Sequence, residues 1–553
     1  MSKNWLVLLG ILGICSYCRP KPSEQSDQPN ILFIMMDDLG YGQFGVHNNQ
    51  LQVDDFDPYF TSLVNEKQGY NLQQALEFSR TAMPTMQHLA QEGIVFQRAF
   101  ASNNLCAPSR IGIATGILPN RLGIYRNTDC EQRGIGSTPH LAQFIQQQGY
   151  ATAHIGKWHI GRRKQQMIDE ALQAHDIEDT LTYFQIREEH PDAFADLLHD
   201  GYYGSVVDQD HPLQHGFDYY FGYNNWASQF YNSTLVWENY EHAGQQKGYN
   251  TDVFTDTALA FIQKQVIAQK PFYVQLHYHA VHDSLEPKAP DQYFNHFKSD
   301  SYDLNNFYAH EYAVDQNINR IVEYLKDADI YENTIIVFTS DNGAQAGGPS
   351  VLPGNAPFSG HKGTYFQGGI RVPLVFHWPN GISNPKTSDH LVSTLDILPS
   401  LVEAAGGFVP QNLDGRSLLG LVTGKSDEPV HDHLVWAGLH ARAWGFLLNK
   451  SFKNHGNERN HAPPAWVVIK DNYLLRFTGT LEPNLNTEEP GGSPPKLELF
   501  DIAQDLAENR DLSVEFPGKV DELRQIYRSE SADFPPPVAW EKAKWSELMQ
   551  STL

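Results

Sequence analysis

Asn30 to Met36 and Asn333 to Thr339 are apolar without alternation and end in turn-forming residues, the pattern of strands buried on both faces. Tyr150 to Ile155, Phe272 to Tyr278 and Val372 to His377 read as further strands. Between them, Met83 to Gln91, His140 to Gln148, about Asp252 to Ala268, Tyr312 to Asp327 and Leu395 to Ala405 carry helical spacing. Strands alternating with helices predict an α/β fold with a large, mostly parallel sheet sandwiched by helices. In such sheets ligands bind beyond the carboxyl ends of the strands. Four polar motifs occupy that position: Asp37-Asp38, Lys157 with His159, His282, and Asp341-Asn342. They are expected to face one another across a single edge.

From about His433 the pattern changes. Leu434 to Trp436, Trp466 to Ile469, Tyr473 to Phe477 and Leu497 to Phe500 are short runs joined by turns such as Asp471-Asn472, followed by a helical stretch from about Val520 to Glu530. These predict a smaller C-terminal antiparallel sheet with a helix. The expected division is a signal peptide over 1–18, a linker over 19–28, a catalytic domain over 29–430 and a C-terminal subdomain over 431–553. Asn48 to Arg80 and Arg162 to Gln214 are longer than ordinary connections and read as insertions near the site.

The chain has 553 residues, 41% hydrophobic and 19% charged, which is enough for a large core. Its net charge of −25 argues against affinity for nucleic acid or acidic membranes. An anionic substrate must therefore be held by a local cationic cluster. Lys3 followed by the apolar run Trp5 to Ile14 has the form of an export signal, implying a periplasmic or secreted protein. Cys15 and Cys18 are candidate lipid-anchor sites, although Ile14 and Tyr17 are bulky for the position before a lipidated cysteine. Beyond the leader only Cys106 and Cys130 remain, so this is no disulfide scaffold.

Asp37, Asp38, Asp341 and Asn342 are hard oxygen ligands offered from the ends of two strands, suiting calcium or magnesium better than zinc, with calcium the expectation. Each pair alone also reads as a common turn. Lys157 and His159, two apart in extended chain, point the same way and can reach one oxyanion. His277 and His279 alternate on a strand; a core or pocket role fits them better than a zinc pair. Lys362 lies in a glycine-flanked loop that allows close backbone approach to a substrate. Cys106 precedes Pro108 in a first helical turn, with Arg110 one turn on, which places the sulfur at a helix N-terminus beside a fixed cation. A buried structural cysteine, or a disulfide to Cys130, is its ordinary alternative.

The run Cys106-Ala107-Pro108-Ser109-Arg110, followed by Thr115-Gly116, resembles the type I sulfatase signature, in which the cysteine is oxidised to formylglycine. From Pro29 to about Asp511 the chain resembles that family in motif order: Asp37 to Gly42, the Cys106 run, Gly156 to His159, Ser340 to Gly343 and Gly360 to Pro373. The resemblance implies an alkaline phosphatase-like fold and a formylglycine made from Cys106 by a formylglycine-generating or anaerobic sulfatase-maturating enzyme. It implies one calcium ion on Asp37, Asp38, Asp341, Asn342 and the modified Cys106. By the same resemblance Arg110 and Lys157 hold the nucleophile and the sulfate charge. His282 or Lys362 protonates the leaving alcohol, and His159 deprotonates the second hydroxyl to expel sulfate.

The implied substrate is a sulfated carbohydrate, a polysaccharide or its fragments. His215, Trp226, His279, Asp283 and His361 are candidate contacts to it, and Tyr223 and Trp237 offer stacking surfaces. Gln367 stands where the family pattern has a glutamate. Two rival functions remain at this stage: a phosphonate or phosphodiester hydrolase of the same superfamily, and a non-catalytic carbohydrate-binding relative. The sequence leaves open the sugar, the sulfate position, exo or endo action and the oligomeric state.

Overall fold

The computed structural model describes residues 28–65, 67–177, 181, 183–199, 204, 206–224, 227–346, 351–439, 464–478, 496–538 and 541–552. The leader, Cys15, Cys18 and Trp226 lie outside the described residues. In chain order the strands are β1 (Asn30–Met36), β2 (Ile94–Phe96), β3 (Ala99–Phe100), β4 (Ala151–Lys157), β5 (Tyr219–Tyr223), β6 (Trp237–Glu238), β7 (Glu241–His242) and β8 (Phe272–His277). There follow β9 (Thr334–Ser340), β10 (Leu374–His377), β11 (Lys386–Ser388), β12 (Val392–Ser393), β13 (His433–Leu439), β14 (Pro464–Lys470), β15 (Tyr473–Thr478) and β16 (Lys496–Asp501).

Ten of them form one sheet in the order β11-β2-β10-β9-β1-β8-β4-β5-β6-β7. The central run β9-β1-β8-β4-β5 is parallel throughout, and β10 and β6 turn antiparallel at its flanks. β1 shows why an apolar run without alternation makes a central strand. Leu32, Ile34 and Met36 enter the core on one face, while Ile31, Phe33 and Met35 enter the core on the other. Each such side chain stabilises the fold by about 1.5–3 kcal/mol through burial.

The helix at Tyr302–Asp327 begins ten residues earlier than its apolar spacing predicts. Its first turns bury Leu304, Phe307 and Tyr308 in the core and add polar contacts. Ser301 caps the Leu304 N–H at 3.3 Å, and the Asn306 amide bonds the Ala289 N–H and the Leu285 carbonyl. Both insertions contain helices: Pro58–Val64 and Leu72–Thr81 in the first, Gln165–Ala174, Tyr183–Glu189 and Pro191–His199 in the second.

β13 to β16 form a separate antiparallel sheet. One face covers the helix Pro517–Ser531 through Val520, Leu523 and Tyr527. The other packs Leu434, Trp436, Val467 and Phe500 against Phe100, Tyr365 and Ile370 of the larger body. Among the described residues no helix is long and apolar enough to cross a membrane.

Candidate active site

The parallel strands β9, β1, β8 and β4 are neighbours, so their carboxyl ends bring Asp341-Asn342, Asp37-Asp38, the His279–His282 turn and Lys157 together. Asp38 and His159 both leave their strands with φ near +60° (62° and 57°), a left-handed conformation that is uncommon outside glycine and that Asp and His adopt more readily than most residues. Gly156, at φ 101°, is where glycine is required: a Cβ there would lie 1.9 Å from the His277 carbonyl oxygen.

Cys106 is the first residue of the helix Cys106–Thr115, whose every residue is buried. Its sulfur lies 3.8 Å from Asp37 Oδ1. Burial pushes the thiol up to about 12, so the unmodified side chain stays neutral. Cys106 and Cys130 are both free, which removes the disulfide alternative; Cys130 Sγ faces the His159 carbonyl at 3.9 Å.

Three buried cations meet three buried carboxylates here. Lys157 Nζ is 2.5 Å from Asp37 Oδ2, Lys362 Nζ is 2.7 Å from Asp38 Oδ1, and Arg110 donates from Nε and Nη2 to Asp341 Oδ2 at 3.0 and 2.8 Å. Burial alone would raise the Asp37 carboxyl, but Lys157, His282 and Arg110 outweigh it and hold the group well below the usual carboxylate range. Burial and the Asp37 charge push Asp341 up to about 6.

His282 Nδ1 contacts Asp283, and its Nε2 is 3.7 Å from Asp38. Burial and the Lys362 charge push this imidazole down to about 3. Neither ring nitrogen of His159 has a hydrogen-bond partner among the described residues. Burial, with Lys157 and Arg110 nearby, keeps that ring neutral well below its usual range.

The ligating atoms of Asp37, Asp38, Cys106 and His282 lie within 4.8 Å of one another. Asp341 spends both oxygens on neighbours, one on Arg110 and one on the Asp38 N–H at 3.2 Å. Asn342 donates to Asp38 Oδ1 at 2.8 Å, while its own Oδ1 is buried with no hydrogen-bond partner among the described residues. A buried acceptor left unmatched is costly. Beside hard carboxylates it fits a hard divalent cation.

The other expected contacts divide. His279 is buried, accepts from or donates to the Tyr223 hydroxyl at 2.8 Å and stacks on His282 at 5.5 Å. Neither it nor His277 belongs to the group of ligating atoms found among the described residues. Asp283 lies beside His282, and His361 is half-buried beside the exposed Tyr59 of the first insertion, ring centroids 5.8 Å apart. His215 is not brought to this group. It is buried, held by the Gln209 carbonyl at 3.1 Å and set beside Trp158, ring centroids 6.3 Å apart.

Gln367 receives Arg371 Nη1 on its side-chain oxygen at 2.7 Å, and its backbone N–H donates to Glu508 Oε1 at 2.8 Å. The C-terminal body thus places the buried Glu508 against this turn, paired with Arg476. The sequence concealed this because the two residues lie 141 positions apart.

The profile of the sulfatase family matches residues 29–407. The chain is 31% identical over 539 residues to the uncharacterized sulfatase YdeN of Escherichia coli (strain K12), covering 94% of this chain and 88% of the relative. It is 27% identical to the N-acetylgalactosamine-6-sulfatase of Canis lupus familiaris, covering 77% of this chain and 71% of that protein. Among solved structures, Ps i-CgsB in complex with k-i-k-neocarrahexaose superposes with a TM-score of 0.66 at 22% identity, over 95% of this chain and 97% of that one. The chain belongs to the sulfatase family and is a sulfuric ester hydrolase.

Proposed function

We propose that this sulfatase removes sulfate from a carbohydrate ester, using a formylglycine made from Cys106 and a calcium ion held by Asp37, Asp38, Asp341 and Asn342. The observation that carries the reading is the convergence of Arg110, Lys157 and Lys362 on the buried carboxylates beside Cys106. Three cations balance three carboxylates, so a bound divalent ion would leave the site positive, as an anionic ester requires in a chain of net charge −25.

The hydrate of a formylglycine at position 106 would supply the nucleophilic oxygen, and a calcium ion held by the carboxylates and Asn342 would supply positive charge for the sulfuryl group. Arg110 and Lys157 hold the anionic group in place, in a pocket where low dielectric strengthens each contact. Of the two candidates beside Asp38, the protonated Lys362 holds the proton for the leaving oxygen better than His282, whose imidazole is kept neutral by burial and the Lys362 charge. His159, neutral with both ring nitrogens unmatched among the described residues, takes the proton of the second hydrate hydroxyl as the aldehyde C=O re-forms and the carbon–oxygen bond to sulfate breaks. The sugar assignment draws on the relatives' names, N-acetylgalactosamine-6-sulfatase and a structure holding neocarrahexaose. The charged start and apolar run of residues 3–14 support export.

The test is sulfate release, measured by ion chromatography, from sulfated oligosaccharides, an aryl sulfate and a phosphodiester by one preparation with Cys106 converted. Fastest release from a sulfated sugar, lost on chelation and restored by calcium, is expected. Preference for the phosphodiester, or sugar binding without release, would overturn the reading.

A further inference from the structure

A guanidinium carries five N–H donors and no acceptor. Arg110 directs Nε and one Nη2 hydrogen to Asp341 Oδ2 at 3.0 and 2.8 Å. The other Nη2 hydrogen faces Asp37 Oδ1 at 3.5 Å, and Nη1 donates to the Lys157 carbonyl at 3.1 Å. One Nη1 hydrogen remains. It faces His277 Nδ1 at 3.3 Å.

That contact is attractive only if Nδ1 carries no proton, because arginine has no lone pair to offer. The groups around Nδ1 favour this tautomer, which leaves the Nε2 hydrogen buried without a hydrogen-bond partner among the described residues. The Lys157 carbonyl also lies 3.3 Å from His277 Nδ1, but its two lone pairs are already served by Arg110 Nη1 and by His154 Nε2 at 3.2 Å. The His277 ring stands nearly perpendicular to His154 (4.9 Å, 88°) and to Phe33 (5.4 Å, 89°), which fix its plane. The residue is buried at the end of β8, and burial, with His154 and Arg110 next to it, pushes the imidazole well below its usual range.

We infer that His277 is a positioning residue for the sulfatase reaction: its Nδ1 accepts the fifth N–H of Arg110 and fixes the plane in which the guanidinium pairs with Asp341 and Asp37, setting its charge beside Cys106. His154 supports it by filling the carbonyl that would otherwise compete for the Nδ1 position. Neither histidine touches substrate. The inference rests on the role proposed above for Arg110.

The test compares His277→Phe, His277→Asn and Arg110→Lys as calcium-loaded protein with Cys106 conversion verified by peptide mass, on the sulfate ester that the wild type hydrolyses fastest. Asparagine places its amide oxygen where Nδ1 stands; phenylalanine keeps ring volume without the acceptor. H277F should lose about 10- to 100-fold in kcat/KM, the loss falling on kcat as in R110K, as expected for one hydrogen bond to a charged group. H277N should recover to within about threefold of wild type. Should H277F not accumulate, H277Q replaces it, since its longer side chain carries the amide past the Nδ1 position, and the same loss is expected. Wild-type activity in H277F or H277Q beside an impaired R110K would overturn the inference. So would equal losses in H277F and H277N at unchanged Tm, which would mean that the ring serves packing alone. Unimpaired R110K would instead overturn the Arg110 role, and the inference with it.

Discussion

Asn342 separates the metal reading from a merely hydrogen-bonded cluster. Its amide nitrogen is matched by Asp38, yet its Oδ1 is buried and unmatched among the described residues, whereas both oxygens of Asp341 are engaged. Asn342→Ala removes that oxygen without touching the three carboxylates. Calcium affinity, read from the rise in Tm on titrating chelator-treated protein, should weaken about 10- to 100-fold. Unchanged affinity would show that this oxygen is not a ligand. At this scale most of the site was legible in the sequence. Cys106, Arg110, Asp37, Asp38, Lys157 and Lys362 announce themselves as adjacent residues in short motifs. The contact of His277 with Arg110 and that of Glu508 with Gln367 span 167 and 141 positions, and no local spacing encodes them.

Among the elements, the long apolar strands were readable because burial on both faces leaves an unbroken signal. β2, β3, β11 and β12 are two or three residues long, too short to show a period, and the antiparallel direction of β10 is set by its partners β9 and β2. The helix Pro84–Gln91 adds a case of capping from afar. Its preceding residue, Met83, has no side-chain acceptor, and the Asp315 carboxylate of the long helix receives the Thr85 and Met86 N–H groups at 3.1 and 2.9 Å. Asp315→Ala should cost about 1–2 kcal/mol in chemical denaturation, as for loss of an N-cap, and Asp315→Asn much less because its amide oxygen still accepts. Equal effects of the two variants would contradict the capping role.

Across the whole molecule, the two bodies are tied near one cleft of about 310 Å³ lined by Arg121, Asp414, His433, Trp436 and Glu530. Arg121 bonds Asp414 at 2.9 Å and Glu530 of the helix Pro517–Ser531 at 2.8 Å, and His433 of β13 meets Glu530 at 3.4 Å. The bond to Glu530 raises His433 above its ordinary 6.5, and the bond to His433 lowers Glu530 below its ordinary 4.5. The histidine's share of stability is complete below 6.5 and lost as pH rises through its folded value. The carboxylate's share is complete above 4.5 and lost as pH falls through its folded value. Both are present between those ordinary values, so the Tm gap between wild type and His433→Gln should be widest there and narrow toward alkaline pH. Both groups are partly exposed and screened by solvent, so the gap corresponds to less than about 1 kcal/mol. A gap independent of pH would leave His433 a packing residue only.

The central claim is that Cys106 becomes the nucleophile. The most direct measurement is the peptide mass of the segment holding Cys106, from protein expressed with a formylglycine-generating system that modifies a control sulfatase. Conversion of thiol to aldehyde predicts a loss of about 18 Da relative to cysteine. A Cys106 peptide at unmodified mass, beside a fully converted control, would contradict the account.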